Sequence, residues 1–223
     1  MKHVIALLPL SVLLGGPSQP PQLEARFIGQ MAVSISDGSM TVITDFPYRV
    51  GYAGAPPFNA AELVAKTPVL ALITHRHLDH WEPSLFAKTN WRVAGPADVT
   101  AGVSAERVVP LASPALFGTV QIEALETPHA GIGHYSYVVT WHGRRLYVTG
   151  DTESADALLA TKNLDVAFVS PWLYESIQRR GGRIDGRRVV IYHHQQGQRV
   201  SGCEGRCLVP RPNEGIAVGG QSP

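Results

Sequence analysis

An α/β fold is predicted by two features of the chain. Short apolar runs at Val69–Ile73, Val166–Val169 and Val189–Tyr192 have the unbroken hydrophobicity of strands buried on both faces, and segments of helical composition stand between them. Histidine and aspartate residues follow the first and last of these runs, at the strand ends where α/β proteins build sites.

The elements follow in order. Phe27 to Asp45 reads as strand, turn, strand: Met31–Ile35 and Met40–Thr44 flank Asp37-Gly38-Ser39, a hairpin signal. Pro47 to Pro57 is rich in glycine, proline and tyrosine and is expected to be a loop. Asn59 to Lys66 has helical composition with Asn59 as a candidate N-cap. The strand Val69–Ile73 leads into a short helix at Ser84–Lys88. Arg92–Ala94, Arg107–Pro110 and Thr119–Leu125 are expected to be strands. Tyr135–Trp141 and Arg145–Thr149 flank His142-Gly143 as a second hairpin, and Ser154–Ala160 is expected to be a helix before the last two buried strands.

Length and composition bound the reading. A chain of 223 residues fits one domain, and 44% hydrophobic against 17% charged residues makes it globular. With 19 basic and 18 acidic residues and no evident basic patch, nucleic acid is not expected as a partner. Met1-Lys2-His3, the apolar run Val4–Leu14 and the small residues Gly15 to Ser18 have the layout of a secretory leader and are too short for a comfortable membrane span, so residues 1–21 are read as a leader and the chain as exported; a cytoplasmic protein is the alternative if they are not. Residues 22–200 are read as the folded domain and 201–223 as an irregular tail. Cys203 and Cys207 in that tail are either a local disulfide or two free thiols without a catalytic role.

The chemistry lies in Thr74-His75-Arg76-His77-Leu78-Asp79-His80. His75 and His77 are two apart, so in extended backbone both imidazoles point the same way and can reach one ion. Asp79 and His80 follow where the chain must turn and can serve a second ion. Imidazole nitrogens and carboxylate oxygens are the donors that zinc and similar borderline ions accept. Further residues of these types lie downstream: His129 after Thr127-Pro128, Asp151 after Thr149-Gly150, and His193 and His194 after Val189–Tyr192. His3 and His142 are not expected to be ligands.

This ordered set resembles the metallo-β-lactamase-fold hydrolases, whose signature is Thr-His-x-His-x-Asp-His, and the resemblance runs from about Phe27 to Gln198. It implies a four-layer αββα sandwich: two packed mixed sheets with helices on both outer faces and the site along one edge. It implies two divalent metal ions, zinc first, one held by His75, His77 and His129 and the other by Asp79, His80 and His193, with Asp151 between them. Asp45 would orient a ligand histidine, and Asp79 would hold the hydroxide or move its proton in catalysis. His134, in Gly133-His134-Tyr135-Ser136, competes with His129, and His194 competes with His193; the family pattern favours the first of each pair. The implied activity is hydrolysis of an ester, lactone or amide-type bond in a small molecule by a hydroxide shared between the ions. Alternatives on the same fold are a phosphodiesterase and a non-hydrolytic iron-binding oxidoreductase. Two stretches depart from the family: Pro171–Arg188, Gly- and Arg-rich near its end, and everything after Gln198. Oligomeric state is left open.

Overall fold

The computed structural model describes residues 22–49, 67–112 and 114–219. The leader and the helix expected at 59–66 lie outside the described residues. Two six-stranded mixed sheets face each other. The first contains β1 (Glu24–Gly29), β2 (Ala32–Ser36), β3 (Thr41–Thr44), β4 (Val69–Leu72), β5 (Arg92–Ala94) and β12 (Gly215–Ala217), in the order β12-β1-β2-β3-β4-β5. The second contains β6 (Ala115–Phe117), β7 (Val120–Glu126), β8 (Tyr135–Trp141), β9 (Arg144–Val148), β10 (Leu164–Val169) and β11 (Gly186–Ile191), in the order β11-β10-β9-β8-β7-β6. In each sheet three neighbouring strands are parallel (β3, β4, β5 and β9, β10, β11) and the rest pair antiparallel.

The layers can be read from alternation along the strands. In β4, Leu70 and Leu72 point into the core between the sheets, where they meet Val33, Val139 and Val148. Val69 and Ala71 point outward, with Ile73 beyond them, toward Phe86 of α1 (Pro83–Phe86) and Val99 of α2 (Ala97–Thr100). On the other side, Ala167 and Val169 of β10 meet Leu158 of α3 (Asp156–Ala160) and Leu173 and Ile177 of α4 (Pro171–Arg179). Helices therefore cover both outer faces, giving a four-layer αββα sandwich. A strand buried on both faces has no room for a polar residue, which is why β4 is an unbroken apolar run. Burial of each such side chain contributes roughly 1.5–3 kcal/mol.

One strand reading changes, and the two stretches without a family counterpart take definite structure. Arg107–Pro110 is not a strand: Ala105–Arg107 is a 3-10 turn, followed by a single bridge from Val108 to Val93. The backbone N–H of Val109 donates to Val93 O (2.7 Å), and Pro110 then removes the next donor. Pro171–Arg179 forms α4, with Pro171 at its first turn, a position that needs no N–H. Where an irregular tail is expected, Cys203 and Cys207 form a disulfide, Leu208 bridges Val190, and β12 pairs antiparallel with β1. The outer edge of β1 offers a row of unpaired backbone groups, and β12 covers it.

The ends of two hairpins are tied together far from the strand ends that carry the ligand residues. Asp37, in the β2–β3 turn, accepts from Ser39 N (2.9 Å), Met40 N (3.0 Å) and His142 Nε2 (2.8 Å), and His142 sits in the β8–β9 turn. Burial pushes the Asp37 carboxyl up, but the bonds from His142 and Ser39 outweigh it and hold the group well below the ordinary aspartate range. Because the folded value is depressed, this stabilisation is present above the ordinary aspartate range and is lost as pH falls toward the lowered value. Replacing His142 with alanine is expected to cost about 1.5–3 kcal/mol in denaturant unfolding at neutral pH. Metal uptake should be unchanged, since the turn lies a strand length, about 16 Å, from the other end of β9.

Candidate metal centre

The ligand-type residues converge because strand ends of both sheets meet along one edge. Asp45 follows β3, and β3 runs parallel to β4 with Thr44 opposite Leu72, so the Asp45 carboxylate lies beside Thr74. It accepts from Thr74 N (2.7 Å) and from Thr74 Oγ1 (3.0 Å). Its Oδ2 faces His80 Nδ1 at 3.2 Å, with both side chains fully buried. Asp45 therefore fixes the His80 ring so that Nε2 faces Asp151 Oδ2 (3.3 Å) and Asp79 Oδ2 (3.8 Å). The sheets are laced together here by Tyr135 N donating to Thr74 O (2.9 Å) and Tyr137 Oη donating to Ile73 O (2.7 Å).

Among the described residues, three sets of side chains bring their donor atoms within 4.8 Å of one another: His75, His77 and His129; His75, His80 and Asp151; and Asp79, His80 and His193. In the first, His77 Nδ1 lies 2.9 Å from His75 Nε2 and 3.4 Å from His129 Nε2. In the last, His193 Nε2 lies 3.6 Å from Asp79 Oδ2, and it is also 3.5 Å from Asp151 Oδ2. His80 Nε2 and Asp151 Oδ1 are buried without a hydrogen-bond partner among the described residues. Leaving such groups bare in a protein interior costs several kcal/mol, whereas a divalent cation satisfies them. The donor set thus fits metal ions.

No protein-family model matches the chain. Over 100 residues it is 33% identical to a hydroxyacylglutathione hydrolase of Mesorhizobium japonicum, an alignment covering 44% of this chain and 37% of that protein. The matched part thus spans little more than a third of that relative. The structure superposes on the metallo-β-lactamase fold protein YhfI from Bacillus subtilis with a TM-score of 0.65 at 13% identity, covering 87% of this chain and 99% of that one. The chain has the metallo-β-lactamase fold. CmlA, a diiron β-hydroxylase from Streptomyces venezuelae, is also similar, with a TM-score of 0.61 at 13% identity over 89% of this chain and 55% of its own. The metallo-β-lactamase fold is therefore shared with a protein of different chemistry, and the fold alone does not fix the reaction.

Within this metallo-β-lactamase fold, the members of the two histidine pairs differ in what they touch. His193 is buried against Asp79 and Asp151, whereas His194 turns away, stacks on Phe27 and places Nε2 2.9 Å from Pro210 O. His129 lies beside His77, while His134 serves as a support: its Nε2 accepts from Asp151 N (3.0 Å) and its Nδ1 bonds Thr127 Oγ1 (2.8 Å). That assignment makes Nδ1 the protonated nitrogen, with Thr127 Oγ1 accepting. Burial lowers the His134 imidazole to about 3, so the ring stays neutral and can accept at Nε2. Trp81 is buried and packs on Phe86, a core role.

Gln30, which sequence reading passed over, also reaches the centre. Its Nε2 donates to Asp79 Oδ2 at 3.3 Å. Nothing in the sequence marks it, because a glutamine beside Gly29 reads as an ordinary turn residue.

Charge is distributed unevenly over the centre. Burial pulls the His80 imidazole down, but the Asp151 and Asp45 carboxylates outweigh it and push it up to about 10. Burial pushes Asp151 up, and His80 and His193 more than reverse this, holding it far below the ordinary range. His75 is lowered, first by burial and then by the neighbouring His80. Carboxylates thus face protonated imidazole on one side of the centre, and His75 on the other side is neutral. An ion held by His80 would displace its proton, because a histidine ligates only in its neutral form.

Proposed function

We propose that the chain is a metal-dependent hydrolase that cleaves an ester, lactone or amide-type bond in a small molecule, with two divalent ions, zinc first, in the centre described above. The observation that carries the reading is the set Asp79, His80 and His193, in which a carboxylate and two buried imidazoles lie within 4.8 Å of one another beside a second, histidine-rich set. His75, His77 and His129 would hold one ion, Asp79, His80 and His193 the other, and Asp151 would lie between them. When bound, the ions supply a water of lowered pKa and a Lewis acid for the attacked oxygen.

The chain's own groups do the rest. Burial raises the Asp79 carboxyl, but hydrogen bonding to His193 and the charge of His80 outweigh it and keep it ionised. Ionised, Asp79 would hold the attacking water or move its proton beside the ions. The likeness to a hydroxyacylglutathione hydrolase supports a hydrolytic role. The dispersed charge supports a small-molecule substrate over a nucleic acid. The layout of residues 1–21 supports export, and among the described residues no helix is long and apolar enough to cross a membrane.

The likeness to CmlA supports a second reading, an iron-dependent oxidoreductase. His80 weighs against it: directly after Asp79 it completes the Thr-His-x-His-x-Asp-His motif by which the chain resembles the hydrolases. Metal analysis after purification without chelators, with a panel of nitrocefin, lactones and bis-p-nitrophenyl phosphate, separates the readings. Two equivalents of zinc with turnover of a lactone or lactam are expected. Turnover of the phosphodiester alone would move the assignment to a phosphodiesterase, and bound iron with a redox signal and no hydrolysis would overturn the proposal.

A further inference from the structure

Gln30 lies in the two-residue turn between β1 and β2, on the first sheet, yet it touches two members of the Asp79–His80–His193 set. Its side chain donates to Asp79 Oδ2 at 3.3 Å, the same oxygen that faces His80 and His193. Its backbone carbonyl accepts from His193 N at 2.6 Å, and His193 comes from the second sheet. Both residues are held in the left-handed region, Gln30 at φ 53° and His193 at φ 52°. A non-glycine residue there costs roughly 1–2 kcal/mol, and such strain gathers where function requires it. Tyr48 Oη pins the turn by donating to Gly29 O at 3.1 Å.

The side chain itself is informative. Gln30 is 96% buried, by its 4% relative exposure, and its Oε1 has no hydrogen-bond partner among the described residues. An orphaned buried carbonyl costs about 1–3 kcal/mol, and a methionine or leucine would fill the same space without that cost. What the amide offers that they do not is a neutral N–H donor. A lysine or arginine at this place would also hold Asp79, but its charge would repel a cation in the same set.

We propose that Gln30 is a positioning residue for the second metal: its amide holds the Asp79 carboxylate in the orientation that ligation requires, without adding charge. This rests on the two-metal reading above. Zn²⁺ titration of the full chain against a chromophoric chelator tests it, comparing wild type with Gln30→Met, which keeps the volume and the backbone contact, and with Gln30→Asn, whose amide is one methylene short of Asp79. For both variants one of the two equivalents should bind at least about 10-fold less tightly, in the range seen when a hydrogen bond to a metal ligand is removed, and the other should stay within about 3-fold. In an Asp79→Asn background Gln30→Met should add nothing. Either variant binding both equivalents as wild type does, or losing both equally, would overturn the inference while leaving the two-metal reading intact. A wild-type chain that takes up fewer than two equivalents would overturn that reading and this inference with it.

Discussion

Replacing Asp79 with alanine is expected to leave the fold standing and to reduce turnover by roughly 10²–10⁴-fold, the loss typical of a removed proton-transfer group. The side chain is 26% exposed and sits past the end of β4, so no core packing is lost. What is lost is one oxygen donor of the Asp79–His80–His193 set and the only proton acceptor assigned to the reaction. Occupancy of the second metal should fall with it, while His75, His77 and His129 keep their ion. His77→Ala should do the reverse for occupancy and also abolish turnover. Full metal content and full rate in either variant would remove the basis for the assignment; the check is metal analysis beside steady-state kinetics and a far-UV spectrum.

Gly150→Ala is expected to do more structural damage than any change to a ligand. Gly150 has φ 62°, and a Cβ there would run into the His134 ring and lie 2.9 Å from Thr74 Cβ. Neither neighbour can retreat: Thr127 and Asp151 N hold His134, and Asp45 holds Thr74. Gly150 N also donates to Tyr192 Oη at 2.6 Å, so the backbone cannot shift either. The left-handed conformation and the overpacking together should cost roughly 2–5 kcal/mol. Because the displaced segment carries Asp151, metal binding should fail before the fold does. A denaturant titration and a zinc titration, both of the metal-free chain, give the two numbers. A variant with wild-type stability would show that the turn has slack that these contacts do not suggest.

The centre was more legible than its supports, for a physical reason. Histidine and carboxylate are among the few side chains that ligate metals, so His75 to His80, Asp151 and the histidines after β7 and β11 stand out as candidates by residue type alone. The sequence left His129 and His134 as rivals because both follow β7; what separates them is a hydrogen bond to Asp151 N across the sheet, and no local pattern encodes that. Gln30 was invisible for the same reason, since its partner Asp79 is 49 residues away. Among the elements, β4 and β8 were readable because burial imposes a strict pattern on them. β12 was not, because three residues covering an edge need no periodicity, and α4 was obscured by the glycines and arginines that follow it.

The pairing of β12 with β1 bears on how the molecule is assembled. Glu24 lies opposite Ala217, so the outer edge of β1 stays uncovered until a strand far along the chain pairs with it. The Gln30–His193 contact is comparably distant, whereas His75, His77 and His129 need only the first half of the chain and a little more. Contacts closed over such long loops form slowly. The set with Asp79 and His193 therefore rests on closure over longer range than the trihistidine set does.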